Sequence, residues 1–209
     1  MNIINKLPTW ERFVIQEDEH LSNEIKILGE EGSTEELLEF LRKLSQRSLE
    51  KTEKIYNQIF THSPVERAKH IAKMYTDEIV SSNALKNLPS LTYGEIEFFS
   101  FWNIIQRCCP SKGDVFVDLG HGTGRALVAA ALLFGNEFSK IYGVELIPGL
   151  HNESIANISN YQAHVKDRSD IFPTYPDVVA VQGDFLALED GISSVPTLSS
   201  WLRAAGKCQ

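Results

Sequence analysis

The stretch VFVDLGHGTGR, residues 115–125, restricts the fold of this chain more than any other segment. Apolar residues run into an aspartate, glycines follow at alternate positions, and the apolar helical pattern GRALVAAALLF comes next. This order predicts a buried strand, a glycine loop and a helix, the first turn of a βαβ unit, where bare backbone can approach a ligand. A glycine-rich turn without a ligand is the alternative interpretation.

Strand and helix patterns continue to alternate after the glycine loop. KIYGVEL and DVVAVQGDF predict two more strands, and PGLHNESIANISNYQAHVKDR predicts a helix between them that begins at Pro148. Strands separated by helices of this length form parallel sheets with right-handed crossovers. We therefore expect an α/β fold that contains three parallel strands with flanking helices.

The N-terminal part of the chain has helical periodicity instead. Ser33 and Glu36 have the spacing of a capping box, and leucines at helical intervals predict a long helix from about 34 to about 60. A second helix is expected over residues 65–80, followed by a loop, SSNALKNLPSLTYGE. The next segment predicts a helix whose aromatic and apolar stripe belongs to the core: Phe98, Phe101, Trp102 and Ile105.

Composition narrows the function. A net charge of −8 disfavours binding to nucleic acid by phosphate neutralisation, but it is compatible with a basic protein partner. No membrane span or signal peptide is predicted, so we expect an intracellular protein. The three cysteines, Cys108, Cys109 and Cys208, form neither a disulfide framework nor a metal pair, and no metal site is expected.

The spacing of the glycines discriminates between two ligand classes. A dinucleotide fingerprint that begins at Gly120 requires glycine at position 125, where this chain has Arg125. The observed pattern is DxGxGxG, which begins at Asp118 and is typical of enzymes that bind S-adenosylmethionine. His121 is expected to fill the loop and to matter more through its backbone than through its ring.

Two more acidic residues follow predicted strands and support this interpretation. Glu145, at the end of YGVE, can accept both hydroxyls of a ribose. Asp184 can accept from an adenine amino group, while Phe185 lies against the ring.

Together with LTYGEIEFFSFW upstream, these motifs resemble one family over about residues 55–190: the disruptor-of-telomeric-silencing histone lysine methyltransferases, which lack a SET domain. The resemblance implies a Rossmann-like class I methyltransferase fold, S-adenosyl-L-methionine as cofactor, a histone or other basic protein as substrate, and a nuclear location, with the cytoplasm as the alternative. The motifs identify no catalytic residue. The implied cofactor-binding residues are Tyr93, Gly94, Glu95, Ile96, Phe116, Val117, Asp118, Leu119, Gly120, His121, Gly122, Thr123, Gly124, Arg125, Glu145, Asp184 and Phe185.

The domain organisation follows from this resemblance. Residues 1–90 are expected to form a helical N-terminal region, residues 91–190 a partial cofactor-binding domain, and residues 191–209 a divergent tail. Class I methyltransferase sheets have seven strands, and only three strand patterns occur here, so we expect a truncated form with an open edge on its first strand. Two hypotheses remain: an active lysine methyltransferase, or a non-catalytic derivative that binds the cofactor or another protein. We expect the 209-residue chain not to catalyse methyl transfer.

Overall fold

The structure, a computed structural model, describes residues 19–82, 93–166 and 176–185. Helices come first in the chain: α1 (Glu19–Glu31), α2 (Thr34–Ile59), α3 (Val65–Ser81) and α4 (Phe98–Arg107). The α/β part follows: β1 (Asp114–Leu119), α5 (Arg125–Phe134), β2 (Phe138–Glu145), α6 (Pro148–Lys166) and β3 (Asp177–Gln182).

The three strands form one parallel sheet in the order β1-β2-β3. In the register, Val117 lies opposite Tyr142, and Tyr142 lies opposite Val179. Each strand therefore lies beside its predecessor, and all three carboxyl ends meet at one edge of the sheet. This confirms the predicted α/β class, the three parallel strands and the helical N-terminal region.

The helices confirm the predicted boundaries closely. Helix α2 begins after Ser33, whose side chain accepts from the backbone N–H of Glu36 while the Glu36 side chain accepts from the backbone of Ser33. This reciprocal capping satisfies two donors that the first helical turn would otherwise leave without partners. Most of the predicted loop, residues 83–92, and the predicted tail, residues 191–209, lie outside the described residues.

Helix α5 forms the centre of the core. All of its residues from Leu127 to Phe134 are buried, because the helix contacts β2 as well as α2 and α4. On α4, Phe98 and Phe101 are buried, while Trp102 and Ile105 pack against the core from partly exposed positions. The aromatic stripe is therefore core, as predicted.

Strand β1 is less covered than β2. Its residues are half-buried or exposed, whereas the last five residues of β2 are buried. Among the described residues β1 pairs with β2 alone, and Leu119 at its end is 47% exposed. Within the described ranges, no helix combines the length and apolar character needed to cross a membrane.

Candidate cofactor-binding site

The candidate site lies at the carboxyl edge of the sheet. Asp118 and Glu145 stand at the ends of neighbouring strands, and Asp184 follows the third. The parallel register brings these ends to one edge, since Asp118 pairs with Gly143 and Glu145 pairs with Gln182. The structure thus places the three predicted acidic residues at three consecutive strand ends.

The glycine loop requires glycine for its conformation. Gly120, Gly122 and Gly124 have φ values of 88°, 56° and 83°, in the left-handed region that side chains disfavour. A Cβ atom on Gly122 would also lie 2.9 Å from Cε2 of Tyr93. At the loop's far end, Gly124 is the N-cap of α5, so the loop leads directly into a helix N-terminus.

Glu145 fastens this loop to the sheet. It is 6% exposed; one carboxylate oxygen accepts from the N–H of Gly122 and the other from the N–H of Ile147, both at 2.8 Å. A carboxylate oxygen has two lone pairs, so each oxygen can still accept from a ribose hydroxyl. The predicted ribose contact stays a prediction, and the structure adds a tethering role that the sequence did not indicate.

The surroundings of the Asp118 carboxyl group disfavour its charged form. Burial, followed by the negative charge of Glu145, raises the pKa of Asp118 to about 6. No hydrogen bond to its carboxylate forms within the described part of the chain. A cationic or hydrogen-bonding ligand would therefore stabilise its charged form.

The ring of His121 packs between the glycine loop and β2, and the expectation that its backbone matters more to the cofactor than its ring stays a prediction. The ring is buried, its Nδ1 atom lies 3.0 Å from the carbonyl oxygen of Gly122, and a Cβ atom on Gly143 would lie 2.5 Å from its Cδ2 atom. Burial lowers the pKa of His121 to about 4, so the ring is neutral at pH 7. The sequence feature that could have predicted this packing is Gly143, since a glycine inside a strand often marks a position where another group lies close to the backbone.

The segment around Tyr93 covers the glycine loop. The Tyr93 hydroxyl donates to Oε1 of Glu95, and the Thr123 hydroxyl donates to the same oxygen at 3.1 Å. Burial and the hydrogen bond to Glu95 raise the pKa of Tyr93 above its ordinary value, so the phenol stays a donor. The structure therefore brings the segment around Tyr93 into contact with the glycine loop. Ile96, which follows Glu95, is 38% exposed.

Arg125 turns towards the helical region. Its Nη2 atom donates to the carbonyl oxygen of Ser63 at 2.8 Å, its Nε atom lies 2.7 Å from Oε2 of Glu95, and its guanidinium lies over the Phe60 ring. The Glu95 carboxylate compensates the charge of the guanidinium, and Ser63 accepts from one of its N–H groups. This geometry gives Arg125 a role in joining segments, and the cofactor contact implied by resemblance stays a prediction.

The other predicted residues divide between the core and the open surface. Phe116 packs against the rings of Phe101 and Phe138, so its side chain belongs to the core. At the carboxyl edge, several apolar side chains stay exposed: Leu119, Leu146, Val181 and Phe185. Asp184 is also exposed. These groups surround an open surface that an apolar ligand could cover.

Comparison with known families identifies the chain's relatives. The family described as histone methylation protein DOT1 matches residues 75–189, just over half of the 209 residues. The chain belongs to this family. No curated protein matches the chain.

The DOT1 match begins inside α3 and continues past β3. It therefore includes the Tyr93 segment, the glycine loop and all three acidic strand ends, and it accounts for the Rossmann-like arrangement of the sheet. Helices α1 and α2 lie before the matched region, so the contacts of Arg125 with Phe60 and Ser63 join the DOT1 region to the preceding helices. In the ranges that the structure describes, no cluster of His, Cys, Asp and Glu could hold a metal ion.

Proposed function

We propose that this DOT1-family chain is an S-adenosyl-L-methionine-dependent protein lysine methyltransferase, with a histone as substrate and the nucleus as its location. The observation that carries the proposal is the glycine loop: Glu145 fastens it from below and the Tyr93 segment covers it, at the sheet edge where Asp118 lies. Family membership supports histone methylation as the reaction class.

The residues at the edge fit this cofactor. No atom of the described residues lies within 4 Å of the Cβ position of Gly120, so the backbone there is open to a ligand. The free lone pairs of Glu145 suit the ribose hydroxyls, and the Phe185 ring, 47% exposed, suits stacking on adenine with Asp184 beside it. The Asp118 carboxylate lies near the loop and would gain from a cationic group.

When bound, the cofactor supplies a methyl group activated by a sulfonium. The protein's part is positioning: an in-line approach of the lysine amine and exclusion of water, which favours the neutral amine. In this proposal the residues of the sheet edge and the glycine loop bind and orient the cofactor. The substrate is expected to be basic, because the chain carries a net charge of −8.

One observation favours a second, non-catalytic function. In the described part of the chain, β1 has one edge without a neighbouring strand, and Leu119 at its end is exposed. Such an edge can pair with another chain. A protein that binds the cofactor and associates through β1 would show binding without methyl transfer.

Two measurements test these functions. In a thermal-shift comparison, S-adenosylhomocysteine should raise the melting temperature and NAD should not, because Arg125 stands where a dinucleotide site needs glycine. A larger rise with NAD would contradict the proposed cofactor. Incubation with labelled S-adenosylmethionine and a histone mixture then measures transfer against the double variant Asp118→Ala, Glu145→Ala. Binding without transfer above this control would favour the non-catalytic function.

A further inference from the structure

The guanidinium of Arg125 lies at the meeting point of three segments. It donates to the carbonyl oxygen of Ser63 at 2.8 Å, after the end of α2, and it lies over the Phe60 ring at 4.4 Å from the centroid. Its Nε atom lies 2.7 Å from Oε2 of Glu95, in the segment that precedes α4. Arg125 itself begins α5, directly after the glycine loop.

Glu95 transmits this contact to the glycine loop. While one of its oxygens faces Arg125, the other accepts from the hydroxyls of Thr123 and Tyr93. The Tyr93 ring lies so close to Gly122 that a Cβ atom there would be 2.9 Å from it. Arg125, Glu95 and Tyr93 therefore form a continuous connection from the end of α2 to the outer surface of the loop.

The ion pair is well shielded from solvent. The Arg125 and Glu95 side chains are 14% and 11% exposed, so water screens them less than it screens a surface pair. Removing one member of such a pair leaves the other charge poorly compensated, which favours conformations that return it to water. For Glu95, returning to water means moving the Tyr93 segment away from the loop.

We propose that Arg125 is a positioning residue that holds residues 93–97 closed on the glycine loop and so sets the rate at which the cofactor dissociates. The cofactor part of this inference rests on the proposed function. Because the Tyr93 ring lies against the outer surface of the loop at Gly122, we expect a ligand bound on the loop to dissociate faster when the segment moves away. The segment moves only when Glu95 separates from Arg125 and Thr123.

The test compares Arg125→Met, Arg125→Lys and Glu95→Gln in the full chain. Met keeps an unbranched apolar stem over Phe60 but removes the charge, and Lys keeps the charge but loses the planar fork. Arg67→Met is the control for loss of an arginine ion pair, because Arg67 pairs with Glu153 at 2.6 Å between α3 and α6, and this pair includes neither Glu95 nor Arg125. Two quantities are measured: hydrogen exchange of the amides of residues 94–97 without ligand, and dissociation of S-adenosylhomocysteine by stopped flow.

We expect Arg125→Met to increase both the exchange rate and the dissociation rate about tenfold or more, the size of effect that loss of a charge-assisted contact produces. Arg125→Lys should give a smaller increase. Glu95→Gln alone should also increase both rates, and the double variant Arg125→Met, Glu95→Gln should differ little from Arg125→Met because both changes open the same contact. Arg67→Met should leave both rates unchanged.

Wild-type exchange and dissociation rates in Arg125→Met, or equal increases in Arg67→Met, would overturn the inference. Should S-adenosylhomocysteine bind neither wild type nor variants, the cofactor part of the inference falls together with the proposed function. The exchange rates would then decide the positioning role alone, with faster exchange in Arg125→Met supporting it and wild-type exchange overturning it.

Discussion

The carboxyl ends of β2 and β3 differ in how much of their surroundings the protein itself supplies. At the end of β2, Glu145 is buried and accepts from two backbone N–H groups, and the loop that it holds is covered by Tyr93. At the end of β3, Asp184 and Phe185 are exposed to solvent. Within the described residues, one half of the candidate site is therefore built by internal contacts, and the other half is left exposed.

The difference shows that one site can combine a preorganised part with an open part. The loop at the end of β2 is ordered when the protein folds, so a ligand that binds there loses less free energy to ordering the loop. In the part of the chain that the structure describes, the β3 end offers exposed apolar area that a ligand could bury. Substitutions at the two ends should therefore affect folding and binding in different proportions.

Glu145→Ala should give the largest effect. It leaves the N–H groups of Gly122 and Ile147 without their acceptor in a buried position, which should lower the free energy of unfolding by about 2–5 kcal/mol. Binding of S-adenosylhomocysteine should be lost as well. Urea unfolding and calorimetry measure both quantities, and Glu145→Gln, which keeps one acceptor oxygen, should lie between. A variant as stable as wild type would show that the β2 end is not held by this carboxylate.

Asp118→Asn should reveal that half-buried Asp118 and buried His121 change the stability in opposite directions as the pH changes. The raised pKa of Asp118 means that its contribution favours folding below about pH 4 and is lost as the pH rises past about 6. The lowered pKa of His121 has the opposite sign: its contribution is present above about pH 6.5 and is lost as the pH falls towards 4. The two contributions largely cancel between about pH 4 and 6.

In Asp118→Asn, only the His121 contribution remains, so stability should fall by about 2 kcal/mol between pH 6.5 and 4.5 relative to wild type. At pH 7 the variant should be more stable than wild type. Urea unfolding at both pH values measures this, with Asp177→Asn, an exposed carboxylate at the start of β3, as the control. An identical pH dependence in Asp118→Asn and wild type would contradict the opposition.

Comparing the stability of Gly122→Ala and Gly120→Ala should distinguish the effect of backbone strain from the effect of a clash with Tyr93. Both positions have positive φ, which costs alanine about 1–2 kcal/mol. Only at Gly122 would the new Cβ also push against Tyr93, whereas the position on Gly120 is open. Thermal unfolding should therefore show a greater loss for Gly122→Ala, and equal losses would mean that Tyr93 does not press on the loop.

Phe185→Ala should give the smallest change in stability, below about 0.5 kcal/mol, because the ring is 47% exposed. Its effect should appear in binding instead, as a several-fold weaker affinity for S-adenosylhomocysteine from the lost ring contact. Calorimetry beside urea unfolding makes the comparison. A large loss of stability without a change in affinity would reverse the assignment of the β3 end as the open half.

Local patterns in the sequence were sufficient for the secondary structure and the fold class. The capping box at Ser33 and the apolar periodicity predicted α2, because both act within one or two helical turns. The tight glycine loop was predictable for the same reason, since its backbone adopts positive φ at each of these glycines and glycine tolerates that conformation. Family membership then supported the interpretation of the motif order.

The tertiary structure alone decided what several side chains do. The resemblance implied a cofactor contact for Arg125, and the sequence favoured the backbone of His121 over its ring. The structure adds that Arg125 donates to Ser63 and that the His121 ring lies against Gly143. The sequence also did not reveal that Glu145 fastens the loop. These roles arise between residues far apart in the chain, and a buried charge or ring takes whichever partner the packed fold brings within reach.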